Sequence, residues 1–366
     1  MKIFNLPIKK SVKILSLGPE SSGNFSFYTN GQIKYFLGFD DLLTAENFSR
    51  FKKEINEFIE NNHPDIILTD LHPLYNSSQY GKFLTQELKV KNLKIQHHHA
   101  HFFAGIGDQI LDTKKTIHQA AGIVCDGTGY GLDEKIWGGE IFEFKDQRIR
   151  RIGSLEEQTL LSADLAIAQP ARMLLAILLK IRSEKEVWLI MEKYFSQTEF
   201  KVLVKQYQED FNCLKTTSTG RILDTVSLLL EFCQNQRNFK HEPIFLLAEN
   251  STSPYPLEPK IIFNEKLNKH ELSTAHLFEF LLKNINQDKK KLGATAQNYL
   301  AEGLFQIVKK SSPVRPVYFT GGIARNKIMS QVLKDKKVYI NKKIPPGDEG
   351  LSFGQIICYL LTNPGD

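Results

Sequence analysis

Ala121-Gly122-Ile123-Val124-Cys125-Asp126-Gly127-Thr128-Gly129-Tyr130-Gly131 is the stretch on which the architecture turns. Five small or apolar residues run into a carboxylate, and three glycines come after it at every second position. This pattern predicts a buried strand that stops at a tight turn. Glycine has no Cβ, so the turn's backbone N–H groups can approach phosphate oxygens without a side-chain clash. Asp126 is then placed to position a metal or a water near those phosphates. A plain glycine-rich β-turn has the same local composition. A phosphate site gains support from the next segment, because Ile136–Phe144 reads as a second strand and completes a hairpin.

Working outward, the first third of the chain alternates strands and helices. Val12–Leu17, Phe25–Thr29 and Ile33–Phe36 read as strands, with Asn30-Gly31 as the hairpin turn between the last two. Glu46–Glu60 has helical periodicity, Asp65–Thr69 is an apolar strand, Ser78–Val90 is helical, Leu93–Gln96 is strand-like and His98–Ile110 is helical. From about Arg150 to Leu292 the pattern is mostly helical, with examples at Ala171–Ile181, Glu184–Phe195, Arg221–Cys233 and Ser273–Asn284. The end returns to α/β, with strands at Arg315–Phe319 and Lys337–Ile340 and helices at Asn326–Lys334 and Gly350–Leu361. No short-period repeat is present. The order predicts two α/β lobes joined around a cleft, with a helical insertion in the second lobe. Lobes are expected at 1–150 and 151–366. Strand, Asp-Gly-Thr-Gly and strand is how phosphate hairpins of the actin type look.

Composition narrows the class. The chain has 366 residues, 42% of them apolar and 24% charged, as in ordinary globular enzymes. A net charge of +6 is spread over the chain, and the basic clusters lack the interleaved aromatics of a stacking platform, so a nucleic-acid surface is not expected. The four cysteines form no CxxC pair, which argues against a cysteine zinc site and fits a reducing cytoplasm. No apolar run approaches the roughly 18 residues of a membrane span. There is no Walker A sequence, no HExxH and no GxSxG, which argues against a P-loop NTPase, a zincin and an α/β-hydrolase.

The sharpest local signal is Gln96-His97-His98-His99-Ala100-His101, with four of the ten histidines in five positions. At the start of a helix, His97 and His101 are i and i+4 and project from one face, a spacing that suits two ligands on one divalent metal, iron or zinc. The bland alternative is a polar imidazole cluster at a helix N-terminus. A carboxylate from elsewhere should complete the set. Asp348, in the stiff turn Pro345-Pro346-Gly347-Asp348-Glu349-Gly350, is the candidate, although an Asp helix cap would look the same. Thr320-Gly321-Gly322-Ile323-Ala324 follows a strand and precedes the helix that has Asn326 in its first turn, which suits a nucleotide pressed against backbone. Thr217 to Asp224 opens another helix, with Asp224 placed to accept from ribose hydroxyls and Arg221 to meet an anion or a surface partner.

Together with Asp70-Leu71-His72-Pro73, Trp137-Gly138-Gly139-Glu140, Pro170-Ala171-Arg172-Met173 and Gly347 to Gln355, these motifs resemble the C-terminal carbamoyltransferase part of the HypF hydrogenase-maturation proteins, from about Ile14 to Leu360. The wider superfamily includes the tRNA threonylcarbamoyl transferase TsaD and antibiotic O-carbamoyltransferases. The resemblance implies an actin-like fold that binds ATP or carbamoyl adenylate. It implies metal ligands at His97, His101 and Asp348, and catalytic roles at Asp126 and Arg172. The phosphate loop would be Asp126, Gly127, Thr128 and Gly129, the ribose contacts Gly220 and Asp224, and the adenine-side loop Gly321, Gly322 and Asn326. The implied reaction is carbamoyl transfer to the C-terminal cysteine of a HypE-like acceptor protein, with the adenylate supplied by a YrdC-type or split-HypF donor. The acylphosphatase, zinc-finger and YrdC-like parts of full HypF are absent from the sequence. Two further departures are His241-Glu242-Pro243-Ile244-Phe245, where the family has glutamine and alanine after Tyr-Glu-Gly, and Ala296-Gln297, where it has phenylalanine and histidine. The alternatives are another acceptor (a small-molecule hydroxyl or tRNA adenosine) and a non-catalytic nucleotide-binding subunit. His99 stands where TsaD's His-x-Glu-x-His has glutamate, which argues against tRNA.

Overall fold

In the computed structural model, which describes residues 1–362, two mixed sheets face each other across a pair of helices. The first sheet contains β1 (Lys2–Asn5), β2 (Lys13–Leu17), β3 (Phe25–Thr29), β4 (Gln32–Phe36), β5 (Ile66–Asp70) and β6 (Lys91–Ile95), in the order β1-β4-β3-β2-β5-β6. The second is built on β7 (Gln119–Tyr130), β8 (Ile136–Lys145) and β9 (Arg148–Leu155), followed along the chain by β10 (Gln158–Leu161), β11 (Cys213–Thr216), β12 (Ile261–Asn264), β13 (Lys269–Leu272), β14 (Val317–Thr320) and β15 (Tyr339–Ile340). Its main path runs β12-β13-β9-β8-β7-β14-β15, with β11 joining β8 from the side and carrying β10.

The two sheets share one plan. In β4-β3-β2-β5-β6 the first three strands pair antiparallel and the last two join in parallel. In β9-β8-β7-β14-β15 the pattern is identical. The helices correspond as well. α1 (Ala45–Ile59), α2 (Asn76–Leu88) and α3 (His97–Thr113) occupy the connections that Lys289–Ser311, Lys327–Asp335 and Leu351–Thr362 occupy in the second half. This is the duplicated RNase H-like arrangement of an actin-like fold. The repeat lies in topology, and a search for short sequence periods does not register it.

Two expectations need correction. β7 and β8 belong to the second sheet, through the pairing of β7 with β14, so the change of sheet falls between Ile95 and Gln119 and not near residue 150. The region from 150 to 292 carries five strands (β9 to β13) among its helices. Each is short or polar on one side, which hides it from a search for apolar runs. A 23-residue helix, Lys289–Ser311, stands where the sequence reading placed no element, with Asp288 capping the N–H groups of Lys290 and Lys291. The Asn30-Gly31 hairpin is present, with both residues at positive φ (45° and 85°) as that two-residue turn requires.

The halves meet where α3 packs along Leu351–Thr362, and glycine sets the closeness of that contact. A Cβ on Gly354 would lie 1.9 Å from the Ala100 carbonyl oxygen, and one on Gly107 would lie 2.5 Å from the Phe353 ring. Ala100, Phe103, Phe353 and Ile357 are fully buried there. The β6–α3 junction and the turn before Leu351–Thr362 are therefore held side by side at the mouth of the cleft.

Candidate metal and nucleotide site

The N-terminus of α3 is anchored before any ligand is considered. Gln96 caps it, its side-chain oxygen accepting from the His99 N–H at 2.9 Å and its amide donating to the Tyr130 carbonyl at 2.9 Å. That ties the first turn of the helix to the β7–β8 hairpin. Gly129 makes the approach possible, because a Cβ there would lie 2.4 Å from the His98 ring and 2.7 Å from that of His97.

The helical spacing then separates the four histidines. His97 and His101 point into the cleft with ring centroids 4.9 Å apart. His98 is fully buried beside Gln96, and His99 packs edge-on against Phe142 at 5.0 Å, where burial pushes its pKa down to about 4. His98 is thus a core residue and His99 a half-buried one packed on the second sheet.

Asp348 and Asp126 close the cluster. His97 Nε2 lies 3.4 Å from Asp126 Oδ2 and 3.6 Å from Asp348 Oδ1, and His101 Nε2 lies 3.6 and 3.4 Å from the same two atoms. The four ligand atoms fall within 4.8 Å of one another. Four ligands placed tetrahedrally at ordinary Zn–N and Zn–O bond lengths would be separated by about 3.4 Å, so these separations suit one shared cation. Both ring nitrogens of His101 are buried without a hydrogen-bond partner. That is costly for a free imidazole, and ligation of a cation through Nε2 would relieve one of the two. His97 Nδ1 donates to Asp70 Oδ2 at 2.7 Å, which fixes its tautomer and leaves Nε2 for the cluster.

The electrostatics agree. Burial alone would lower the pKa of His97, but the Asp70, Asp126 and Asp348 carboxylates outweigh it and raise it well above its ordinary value. Burial would raise Asp126 and Asp348, yet the two imidazoles hold both well below the usual carboxylate range. The site calls for positive charge between the four side chains, and a divalent ion meets that demand.

Sequence reading expected His97, His101 and Asp348 as ligands and placed Asp126 in the phosphate loop, to position a metal or a water there. The geometry joins Asp126 to the ligand set while its other oxygen accepts from the Gly322 N–H at 3.2 Å. Asp348 opens a short 3-10 turn and is not a helix cap by its side chain. Two supporting residues escaped sequence reading. Ser21 donates its hydroxyl to Asp348 Oδ2, and Asn24 donates to the Asp348 carbonyl at 3.1 Å, both from the β2–β3 turn more than 320 residues away. Asp70 stands in the Asp70-Leu71-His72-Pro73 motif, but its hydrogen bond to His97 is a tertiary contact that no local pattern announces.

The loops expected to bind a nucleotide converge on the same cleft. Gly127 and the exposed Thr128 form the irregular segment of β7 between Cys125 and Gly129. Ser218 caps the helix Thr219–Leu229 and donates to the carbonyls of Asp126 and Gly127, binding that helix to the hairpin. Gly220 permits the contact, since a Cβ there would lie 2.8 Å from Gly127 Cα. Gly321 has φ 94°, and a Cβ on it would lie 2.2 Å from the Cys125 carbonyl, so this position accepts glycine alone. Asn326 is the N-cap of Lys327–Asp335, accepting from the Met329 N–H and donating to Gln297. Both ends of its side chain are therefore engaged within the protein.

Two residues with expected roles have their polar neighbours elsewhere in this arrangement. The Arg172 guanidinium contacts Gln169 at 2.7 Å, Ser162 at 3.0 Å and Glu199 at 3.1 Å, all within the insertion. It braces helices, and none of its polar contacts reaches the metal cluster. Asp224, expected to accept from ribose, is only 2% exposed and lies 3.1 Å from Arg221 Nη2, with neither carboxylate oxygen in hydrogen-bond geometry to any partner.

Residues 9–108 match a family model described as the HypF Kae1-like domain, and residues 122–355 match one described as "Carbamoyltransferase, Kae1-like Domain, second subdomain". A Methanocaldococcus jannaschii protein named "Probable carbamoyltransferase HypF" is 38% identical over 87% of this chain and 42% of its own length. The Rhodobacter capsulatus carbamoyltransferase HypF is 26% identical over 94% of this chain and 46% of its own. The chain therefore spans a little under half the length of these relatives. Among solved structures, full-length HypF in a phosphate- and nucleotide-bound form superposes with a TM-score of 0.87 at 23% identity, over all of this chain and 48% of that one. T. kodakarensis HypF gives 0.85 at 24% identity, over 98% of this chain and 48% of that one. Both establish the fold.

Proposed function

The chain belongs to the HypF family, over the Kae1-like region of those proteins, and from that premise we propose that it is a carbamoyltransferase whose cleft holds a nucleotide beside a divalent metal. The observation that carries the reading is the juxtaposition of a two-histidine, two-carboxylate cluster with the glycine hairpin Asp126–Gly129 and the Gly321-Gly322 loop.

In this reading His97, His101, Asp126 and Asp348 hold iron or zinc. Such an ion, when bound, supplies Lewis acidity toward the carbonyl or phosphoryl oxygen of the donor. The protein's own groups do the positioning. Asp70 keeps His97 in the tautomer that presents Nε2. Ser21 and Asn24 fix Asp348 in the turn. The phosphates of ATP or carbamoyl adenylate approach the backbone at Gly127 and beside the Gly321-Gly322 loop, where a side chain would block approach, while the N–H groups of Gly321 and Gly322 hold the loop itself, on the Pro346 carbonyl and Asp126.

The donor is carbamoyl adenylate made by a YrdC-type module, and the acceptor is the C-terminal cysteine thiolate of a HypE-like protein. The thiolate sulfur forms a bond to the carbamoyl carbon, the bond from that carbon to the phosphate oxygen breaks, and AMP leaves with the electron pair. An acceptor thiol must stay reduced, which suits the reaction to the cytoplasm. Among the described residues no helix is long and apolar enough to cross a membrane. The test is mass spectrometry of the HypE-like cysteine after incubation with this chain, ATP and carbamoyl phosphate. A thiocarbamate adduct is expected when a YrdC-type partner is supplied. Absence of the adduct under every combination would point to a different acceptor.

A further inference from the structure

The cluster sets two imidazoles of α3 against Asp348, a residue far along the chain, and a buried carboxylate ties those two parts together at some distance from the site. Asp108 lies on α3 and is fully buried. It comes seven residues after His101 and eleven after His97. At about 100° per residue, both spacings return to within roughly 20° of the starting direction, so the three side chains share one face of the helix. The Asp108 side chain accepts four hydrogen bonds, two on each oxygen. Oδ2 takes the Tyr339 hydroxyl at 2.8 Å and the Lys342 N–H at 2.9 Å, and Oδ1 takes the N–H groups of Lys343 at 2.7 Å and Ile344 at 2.6 Å. Three consecutive backbone donors are gathered on one carboxylate, just after β15.

That segment leads directly to Asp348. Only Pro345, Pro346 and Gly347 stand between Ile344 and Asp348. The prolines fix two φ angles and stiffen this tether. Its reach is limited as well. With a rise of about 1.5 Å per residue, Asp108 sits roughly 10 Å below His101 along the helix, and four residues of extended chain cover at most about 14 Å. The tether therefore runs back along α3 with little slack, and it places Asp348 Oδ1 3.4 Å from His101 Nε2. It is registered once on the way, since the Thr320 hydroxyl lies 3.1 Å from the His101 carbonyl oxygen and 3.3 Å from that of Pro346. The side chains of Lys342 and Lys343 reach only the exposed Asp112, at 3.2 and 3.3 Å, and such surface pairs contribute little.

Resting on the metal reading above, we infer that Asp108 is a positioning residue for the metal site: by clamping Lys342–Ile344 to the helix face that carries His97 and His101, it sets the distance at which Asp348 meets the two imidazoles. One helix then fixes three of the four ligands, two by carrying them and one through its tether. Asparagine cannot reproduce the clamp. It keeps one acceptor oxygen and turns its NH2 toward backbone donors, so the tether gains freedom, and a ligand that must be ordered on binding costs affinity.

Zinc affinity of the purified chain, read by chelator competition in two backgrounds, tests this. Asp108→Asn should weaken zinc about tenfold where Asp348 is present, the low end for groups that orient a metal ligand. In the Asp348→Ala background, where the tether carries no ligand, the same change should leave zinc affinity unaltered. A merely structural Asp108 would cost the same in both backgrounds, because independent effects add, and that result would overturn the inference while leaving the metal reading in place. Undiminished zinc affinity in Asp108→Asn with Asp348 present would overturn it too. Asp112→Ala removes only the surface pairs and should bind zinc like the wild type; a loss equal to that of Asp108→Asn would move the clamp to the surface and refute the role of Asp108. Should Asp108→Asn fail to fold, Pro345→Ala/Pro346→Ala loosens the tether and spares the carboxylate. Its loss of zinc affinity should again depend on Asp348, and a loss independent of Asp348 would count against the tether. A wild type that binds no zinc would remove the metal reading, and this inference with it.

Discussion

The turn after the first strand of each half provides a natural comparison. In the first half the β2–β3 turn carries Glu20, which accepts from the Asn76 N–H at 2.6 Å where α2 begins after β5. In the second half the β7–β8 turn carries Asp126, which accepts from the Gly322 N–H at 3.2 Å where the chain turns after β14. These are one topological position occupied twice by a buried carboxylate on backbone donors. Their electrostatics diverge. Burial raises the Glu20 pKa above its ordinary value, while two imidazoles override burial at Asp126 and lower it. The duplicated fold provides the position of the carboxylate. The side chains facing it, in this case from α3, decide whether it is a structural acceptor or a candidate metal ligand.

The division of labour extends further. The first half contributes His97 and His101 on α3 and the braces Ser21, Asn24 and Asp70. The second contributes Asp126, Asp348 and the nucleotide loops. A metal held by both halves would lock the cleft, so ligand changes should have the largest effect. The His97→Ala/His101→Ala variant should lose the roughly one equivalent of metal expected of the wild type by elemental analysis of purified protein, and carbamoyl transfer with it. Metal-free wild type with full activity would break the comparison at its root.

The next effect contrasts two glycines of nearly equal conformation. Gly321 (φ 94°) has the Cys125 carbonyl 2.2 Å from a Cβ position, whereas Gly38 (φ 92°), exposed in the first half, has nothing within 4 Å. Alanine at residue 38 carries only the left-handed penalty, about 1–2 kcal/mol. At residue 321 it adds a collision with backbone and should cost upwards of about 3 kcal/mol. Urea denaturation of both variants measures the difference, and equal losses would show that the loop after β14 can yield.

A smaller effect is expected at Asp70, which acts on the cluster only through the His97 ring. Asp70→Asn should weaken metal affinity about ten- to a hundredfold, read by chelator competition, while ATP affinity measured on the loaded protein stays close to wild type. A loss of ATP binding equal to the loss of metal would mean that Asp70 supports the whole cleft.

The smallest effect belongs to Glu20. Its folded-state pKa is raised, so between its unfolded value and that raised value the folded protein binds more protons, and stability falls as pH rises through the window. Glu20→Gln should lack that slope, change stability at pH 7 by less than about 1 kcal/mol, and leave metal content intact. Loss of metal in this variant would show that the first turn also belongs to the centre.

Much of this was legible in the chain. The i, i+4 spacing of His97 and His101 follows from helical geometry, and the glycines of the hairpin and of Gly321-Gly322 mark places where backbone must come close to something. The two-lobed α/β class, the Asn30-Gly31 hairpin and most helices on the periodic segments were equally accessible, because periodicity and turn chemistry are local. Tertiary structure decided the rest. It brought Asp126 beside the three expected ligands, supplied Asp70, Ser21 and Asn24 as braces, paired Arg172 with Glu199, and set Arg221 beside Asp224. It also revealed that the halves repeat, and that β7 and β8 belong to the second. The physical reason is range. Helix phase, strand alternation and glycine turns are set by neighbours a few residues apart, whereas a buried charge takes its role from whatever faces it, and in this chain Ser21 faces Asp348 across 327 residues.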